Sequence, residues 1–328
     1  MLNKTIRFIS IIIIPLLTWG VFHHASGDAV FPIVPIPQQT EFEQDPIPAG
    51  DTLICTIPFK KAGNLILIEG DADNQKGSFI LDTGAPRLVL NLTYFRDVKA
   101  RSQTAAGGIS GGIANIMQTT VQNFKVGNYK YKNIDADVVS LGHIEDHIGV
   151  KVLGLIGVNM LKSFTVMIDY KSNLIKIKLL KRKDKFCFRK MLLKDTASYQ
   201  TMQIRLYYNK LIVAGLMSGK KLNFIIDTGA ESNVIDSRLP DAVLEKINVT
   251  GRILLSGSSY KKVEALNGNA EGLSLSGIPI NNLPVIVTNL KDMCFAFDFC
   301  IDGMLGFDFL SLHIVEINFA NREMYLWN

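Results

Sequence analysis

One short phrase occurs twice in this chain and constrains everything else. Phe79-Ile80-Leu81-Asp82-Thr83-Gly84-Ala85 returns as Phe224-Ile225-Ile226-Asp227-Thr228-Gly229-Ala230. Each copy is an apolar run, long enough for a buried strand, that stops at an acid, a hydroxyl and a glycine. A buried strand has no reason to end on a lone carboxylate, because an isolated ionised acid away from water is costly. Two such acids, each delivered by its own strand, can share one site, and one proton between them removes most of the repulsion. Glycine after Asp-Thr permits a tight turn and lets the backbone approach the carboxylate. A single Asp-Thr-Gly is an ordinary strand-to-turn tripeptide. Its duplication, with matched apolar flanks, is what carries the signal.

The repeat extends beyond this phrase. Leu153-Gly154-Leu155-Ile156-Gly157-Val158-Asn159-Met160-Leu161 leads into Phe164 to Tyr170, and Asp302-Gly303-Met304-Leu305-Gly306-Phe307-Asp308-Phe309-Leu310 leads into His313 to Phe319. Self-similarity at a nearly fixed offset over more than a hundred residues means two copies of one structural unit, here a lobe. Asn159 matches Asp308, so a carboxylate there is not required by the symmetry and reads as structural.

These motifs, in this order, resemble the aspartic proteases: two lobes in one chain as in the pepsins, with the Asp-Thr-Gly-Ala wording of retroviral-type enzymes and bacterial secreted relatives. The second signature of that family, two apolar residues and a glycine, is matched by Leu155-Ile156-Gly157 and Met304-Leu305-Gly306. In the family this strand passes beneath the catalytic loop and braces it. The resemblance covers residues 50–328. It implies Asp82 and Asp227 as catalytic acids, Thr83 and Thr228 bonded across the lobe interface, and Gly84 and Gly229 admitting backbone N–H groups to the carboxylates. It also implies flaps over a cleft that takes an extended polypeptide. The first-lobe flap candidate is Gly107, Gly108 and Ile109 in a glycine-rich tip, and the second is Gly257, Ser258 and Tyr260. Residues 105–112 lack the tyrosine that marks the pepsin flap. The glycine spacing of that tip does not match a phosphate-cradling loop.

Composition supports two lobes. Hydrophobic content of 48% fills two cores, and short apolar segments alternate with Gly, Asn and Ser turns without a long helical period. The expected fold is all-β: a two-lobed pepsin/retropepsin-like acid protease fold with the site in the cleft between lobes. The expected divisions are a signal peptide over 1–27, a Pro-rich linker over 28–50, an N-terminal lobe over 51–182, a basic interlobe linker over 183–198 and a C-terminal lobe over 199–328. Lys176 and Lys178 alternate with Ile175 and Ile177, which reads as a strand with a solvated charged face.

Lys4 and Arg7 precede an apolar stretch from Phe8 to Phe22, followed by small residues at Ala25, Ser26, Gly27 and Ala29. That order is a secretory signal, with cleavage after Gly27 or Ala29. A run of about 15 residues containing Pro15 is short against the roughly 20 that span a bilayer. The expectation is export to the periplasm or medium, the alternative a membrane tether left uncleaved. Residues 31–50 hold five prolines and no Lys or Arg, so they read as a linker rather than a basic inhibitory prosegment. Net charge is +5. The basic interlobe stretch carries no nucleic-acid motif, which argues for a solvated linker and against nucleic acid.

Four cysteines in an exported chain favour pairing, with three connectivities open. Cys294–Cys300 would close a short loop and Cys55–Cys187 would tie the first strand to the interlobe stretch. No histidine accompanies any of them in a way that suggests a thiol nucleophile. His143, Glu145, Asp146 and His147 do not follow a His-Glu-x-x-His pattern and read as an exposed loop, not a metal site. No cofactor and no metal are expected, and the internal duplication makes a monomer sufficient.

Two functions remain open at this level. One is an exported aspartic endopeptidase, in which one carboxylate takes a proton from water and the other, protonated, holds the scissile carbonyl. The other is a catalytically silent module that binds extended peptides in the same cleft. The completeness of the acids, threonines and glycines favours the enzyme. Pepsins usually carry Ser or Thr after the glycine, and here both positions are alanine, Ala85 and Ala230. Loss of those hydroxyl donors predicts acids that hold their proton to higher pH.

Overall fold

The computed structural model describes residues 6–8, 45–50, 54–98, 102–108, 111–180, 199–256, 262–294 and 300–327. Strands dominate, as the alternating apolar pattern and the Gly, Asn and Ser turns require. In the first lobe the sheet order is Lys60–Ala62, Leu65–Ala72, Gln75–Leu81, Gly154–Ile156, Leu88–Asn91, Tyr129–Val139, Gly111–Val126 and Ser102–Gly108. The second lobe repeats it from Lys210–Met217 through Lys220–Ile226, Gly303–Leu305, Val234–Asp236, Leu283–Thr288 and Lys262–Ala270 to Ile247–Ser256. The duplication in the sequence is therefore a duplication of topology.

A six-strand section joins the lobes: Tyr199–Tyr207, Glu323–Trp327, Ile314–Asn318, Phe164–Asp169, Leu174–Leu179 and Cys55–Pro58. The junction is the antiparallel pair Phe164–Asp169 with Ile314–Asn318, one strand from each repeat, in which Val166 faces Ile317. Lys176 and Lys178 lie here on a strand whose Ile175 and Ile177 are buried, as their alternation predicts.

In each repeat the phenylalanine that opens the motif anchors the core. Phe79 lies between Gly70 and Gly154, where an added β-carbon would come within 2.8 and 3.0 Å of its ring. Phe224 is clasped in the same way by Gly215 and Gly303. Phe79 also meets Phe124 edge-on at 5.3 Å between ring centres. These contacts hold the acid-bearing strands in place along their length.

Several expectations need correction. His143 to His147 form a helix, Gly142–Ile148, rather than an exposed loop. His143 and Ile144 are buried against the core, and Glu145 accepts from the Tyr94 hydroxyl and the Val152 N–H. Residues 45–50, placed in the linker, dock on the first lobe. Ala49 exchanges backbone hydrogen bonds with Lys130, and Asp45 pairs with Lys162 at 2.8 Å. Cys55 is a free, buried thiol facing Gly127, so it does not pair with Cys187. Cys300 is disulfide-bonded, to a partner outside the described side chains.

The proposed leader lies outside the described residues except for Ile6–Phe8, a short strand parallel to Leu254–Ser256. The interlobe linker 183–198 lies wholly outside them. Among the described residues no helix is long and apolar enough to cross a membrane.

Candidate active site

The strands Gln75–Leu81 and Lys220–Ile226 run toward the lobe boundary and stop at Asp82 and Asp227, both fully buried. Beneath each turn passes the bracing strand. Ile156 pairs parallel with Leu81, and its carbonyl accepts the Asp82 N–H at 3.0 Å. Leu305 does the same for Ile226 and for the Asp227 N–H at 2.9 Å. The chain then bonds back to the turn, Val158 N–H to Ala85 O and Phe307 N–H to Ala230 O. Each signature braces the acid loop of its own repeat.

The threonines cross between lobes. The Thr83 hydroxyl donates to Ile226 O at 2.8 Å and the Thr228 hydroxyl to Leu81 O at 2.7 Å. Each hydroxyl also accepts the opposite threonine's N–H at 3.0 Å. Four buried hydrogen bonds thus fix the two loops as one rigid unit. The glycines are needed for close approach: a β-carbon at Gly84 would lie 2.6 Å from Asp227 Cγ, and one at Gly229 2.5 Å from Asp82 Cγ. Any other residue there would push the opposite acid away.

One oxygen of each acid is held from its own turn, Asp82 Oδ1 by the Ala85 N–H at 3.0 Å and Asp227 Oδ1 by the Gly229 N–H at 2.8 Å. The other oxygen, Oδ2, of each has no hydrogen-bond partner among the described residues. Burial pushes the Asp82 carboxyl up to about 6, against the pull of the Lys210 ammonium and its hydrogen bonds. Burial, followed by the charge of Asp82, raises Asp227 well above the ordinary carboxylate range. The upward direction agrees with the sequence argument, but its largest cause is burial rather than the missing hydroxyls at Ala85 and Ala230.

Lys210 was not singled out from the sequence. It is buried, and its Nζ donates to the Gly84 carbonyl across the lobe boundary. Glu231 was missed too: it accepts the Asn64 N–H at 2.8 Å and contacts His147 Nε2 at 3.0 Å. A charged residue opening the apolar run Leu211 to Ala214 was the available signal for Lys210. No comparable signal marked Glu231.

The sequence comparison completes this geometry. The aspartyl protease family model matches the chain twice, over residues 68–160 and 213–309, with one acid loop and one bracing strand in each match. The chain belongs to the aspartyl protease family.

No curated protein matches the chain in sequence. Among solved structures, this aspartyl protease family member is similar to the aspartic proteinase from Irpex lacteus. The identity is 13% and the TM-score 0.47, over 84% of this chain and 97% of that one. It is also similar to Basic 7S globulin from soybean, at 8% identity and a TM-score of 0.43, over 85% of this chain and 95% of that one.

In sequence, the flap candidates lie within or beside two antiparallel strand pairs, Ser102–Gly108 with Gly111–Val126 and Ile247–Ser256 with Lys262–Ala270. In the first, Gly107 pairs with Gly112 and Gly108 with Gly111, and Ile109 falls outside the described residues. In the second, Ser256 pairs with Lys262, and Gly257, Ser258 and Tyr260 fall outside them. Among the described residues no group of His, Cys, Asp and Glu is arranged to hold a metal ion.

Proposed function

We propose that the protein is an endopeptidase that hydrolyses peptide bonds with a water activated between Asp82 and Asp227. The observation that carries this reading is the pair of buried carboxyls, each fastened by one oxygen and leaving Oδ2 without a partner. A water at the two free oxygens would lose a proton to the ionised acid while the protonated acid donates to the scissile carbonyl. As the tetrahedral oxygen gains charge, that hydrogen bond strengthens, and collapse returns a proton to the leaving nitrogen. The threonine bonds keep this geometry without reorganisation. An acid pushed up to about 6 is a competent base near neutral pH. The substrate would be an extended polypeptide in the interlobe cleft, and the protein would act as a monomer.

Export completes the proposal. The apolar stretch from Phe8 to Phe22 after Lys4 and Arg7 supports removal of a leader near Gly27. Mass analysis of the mature protein is expected to show an N-terminus near residue 28, and an N-terminus still at Met1 would overturn cleavage and favour the uncleaved tether.

A silent module that holds extended peptides in the same cleft is the competing outcome. The test is to incubate purified protein with a diverse peptide library, with and without a statine-type transition-state mimic. Cleavage blocked by the mimic is expected. Peptide retention without cleavage at any pH from 4 to 8, a range of about four units around the acid's shifted value, would favour the silent module.

A further inference from the structure

Lys210 follows the tight turn between Tyr199–Tyr207 and Lys210–Met217, where it pairs with Tyr207. Strand register makes it the counterpart of Leu65: Ile212 faces Ile225 as Leu67 faces Ile80. Leu65 is fully buried among apolar neighbours. In the second lobe the same buried position carries an ammonium instead. Its Nζ donates to the carbonyl of Gly84, the residue that packs directly against the Asp227 carboxyl.

Burying an ammonium is unfavourable unless an opposite charge accompanies it. The carboxylates that act on Lys210 are Asp82 and Asp227. The other titratable group that faces the pair among the described residues is Tyr170, after the strand Phe164–Asp169. Burial and then the charge of Asp227 keep its phenol protonated. Lys210 therefore supplies the cation.

We infer that Lys210 is a positioning residue for the acid pair: its buried ammonium holds Asp82 and Asp227 with one proton between them rather than two. Charge balance agrees, since one ammonium offsets one carboxylate and the second acid stays protonated. Burial lowers Lys210 to about 8 while both acids hold it up, and Asp82 stands at about 6. Between those values the site carries one positive and one negative charge. The placement of the ammonium stands on geometry, its bond to the Gly84 carbonyl where Gly84 packs on the Asp227 carboxyl. Its catalytic consequence, activity that persists toward neutral pH, rests on the endopeptidase reading.

The test is a carboxyl-carbon NMR titration of the full chain labelled at aspartate, with the pair's signals assigned from Asp82→Asn and Asp227→Asn. In wild type the first step is expected near pH 6. In Lys210→Met it should rise by about 1–3 pH units, the size of effect that a neighbouring cation exerts. Lys210→Arg should keep the wild-type step. If Lys210→Met does not fold, Lys210→Leu replaces it, since leucine is the residue at the matching position of the other lobe. A nitrogen NMR titration of the Lys210 ammonium requires no lysine variant, and its midpoint should fall in Asp82→Asn. A first step unmoved in Lys210→Met, an arginine variant that moves with it, or a lysine midpoint indifferent to Asp82→Asn would overturn the assignment. A protein that gives the expected NMR shifts but cleaves no peptide would instead sink the endopeptidase reading.

Discussion

Glu231 and His147 meet across the lobe boundary, Oε2 to Nε2 at 3.0 Å. The other oxygen of the same carboxyl accepts the Asn64 N–H at 2.8 Å. One second-lobe side chain, two residues past Gly229, thus fastens both a hairpin turn and the helix Gly142–Ile148 of the first lobe. In the repeat its counterpart is Pro86, which has no such group to offer. The lobes are therefore held on one side by Glu231 and approached on the other by Lys210. The clamp is asymmetric.

Removing that clamp should loosen the lobes. Glu231→Ala leaves the Asn64 N–H and the His147 ring without their acceptor, at an expected cost of about 1–3 kcal/mol. Urea unfolding measures it. Glu231→Gln, which keeps an acceptor for Asn64, should recover part of the loss. Equal stability of wild type and the alanine variant would show that the contact holds nothing.

The acids should be individually indispensable. A proton shared between two groups makes them one catalytic unit, and the members of such a unit are far from additive. Asp82→Asn and Asp227→Asn should each lower turnover by several orders of magnitude, and the double variant should be little worse. A single variant that keeps most of its peptidase activity would exclude the paired-acid mechanism.

Thr83 and Thr228 offer a structural test with a kinetic readout. Thr83→Val removes one donor and one acceptor, leaving Ile226 O and the Thr228 N–H unsatisfied in a buried interface. The expected loss is about 2–4 kcal/mol of stability. Because the loops carry the acids, kcat should fall more than KM changes. Thr228→Val should behave alike, and a variant with unaltered kcat would mean that the crossing bonds do not set the acid geometry.

Stability should fall as pH rises through the mildly acidic range. Burial raises Asp82 to about 6 and Glu316, on the strand Ile314–Asn318, to about 7. In that window the folded chain keeps protons that the unfolded chain has already released, so stability decreases with rising pH. Glu316→Gln removes one such group. Its Tm should lose part of the decline between about pH 4.5 and 7 and exceed wild type at pH 8. Parallel Tm profiles for the two proteins would contradict this.

The alanines after each glycine affect the same pH range from the other side. Ala85→Ser or Ala230→Ser introduces a hydroxyl that can donate to an acid, which favours its charged form. The acidic limb of the pH–rate profile should move down. Since burial is the larger cause of the raised values, neither variant should bring the limb to that of an ordinary exposed carboxyl.

The repeated Asp-Thr-Gly-Ala and the two bracing signatures were legible in the sequence because they are local. Each is an apolar strand ending in a fixed turn, and its chemistry follows from residue order alone. From them came the two-lobed β fold, the acids, the crossing threonines and the need for glycine beside each carboxyl. What the sequence did not show depends on which side chains meet across the lobe boundary. Lys210 reaches Gly84, and Glu231 reaches Asn64 and His147, only because the shared six-strand section sets two distant hairpin turns against the opposite acid loops. The helix at His143 and the free thiol of Cys55 were decided in the same way, by packing against a core assembled from distant strands. Burial itself is a tertiary quantity. The alanines gave the direction of the acids' shift, but only the folded protein shows that removal from water is its main cause and that a buried ammonium opposes it.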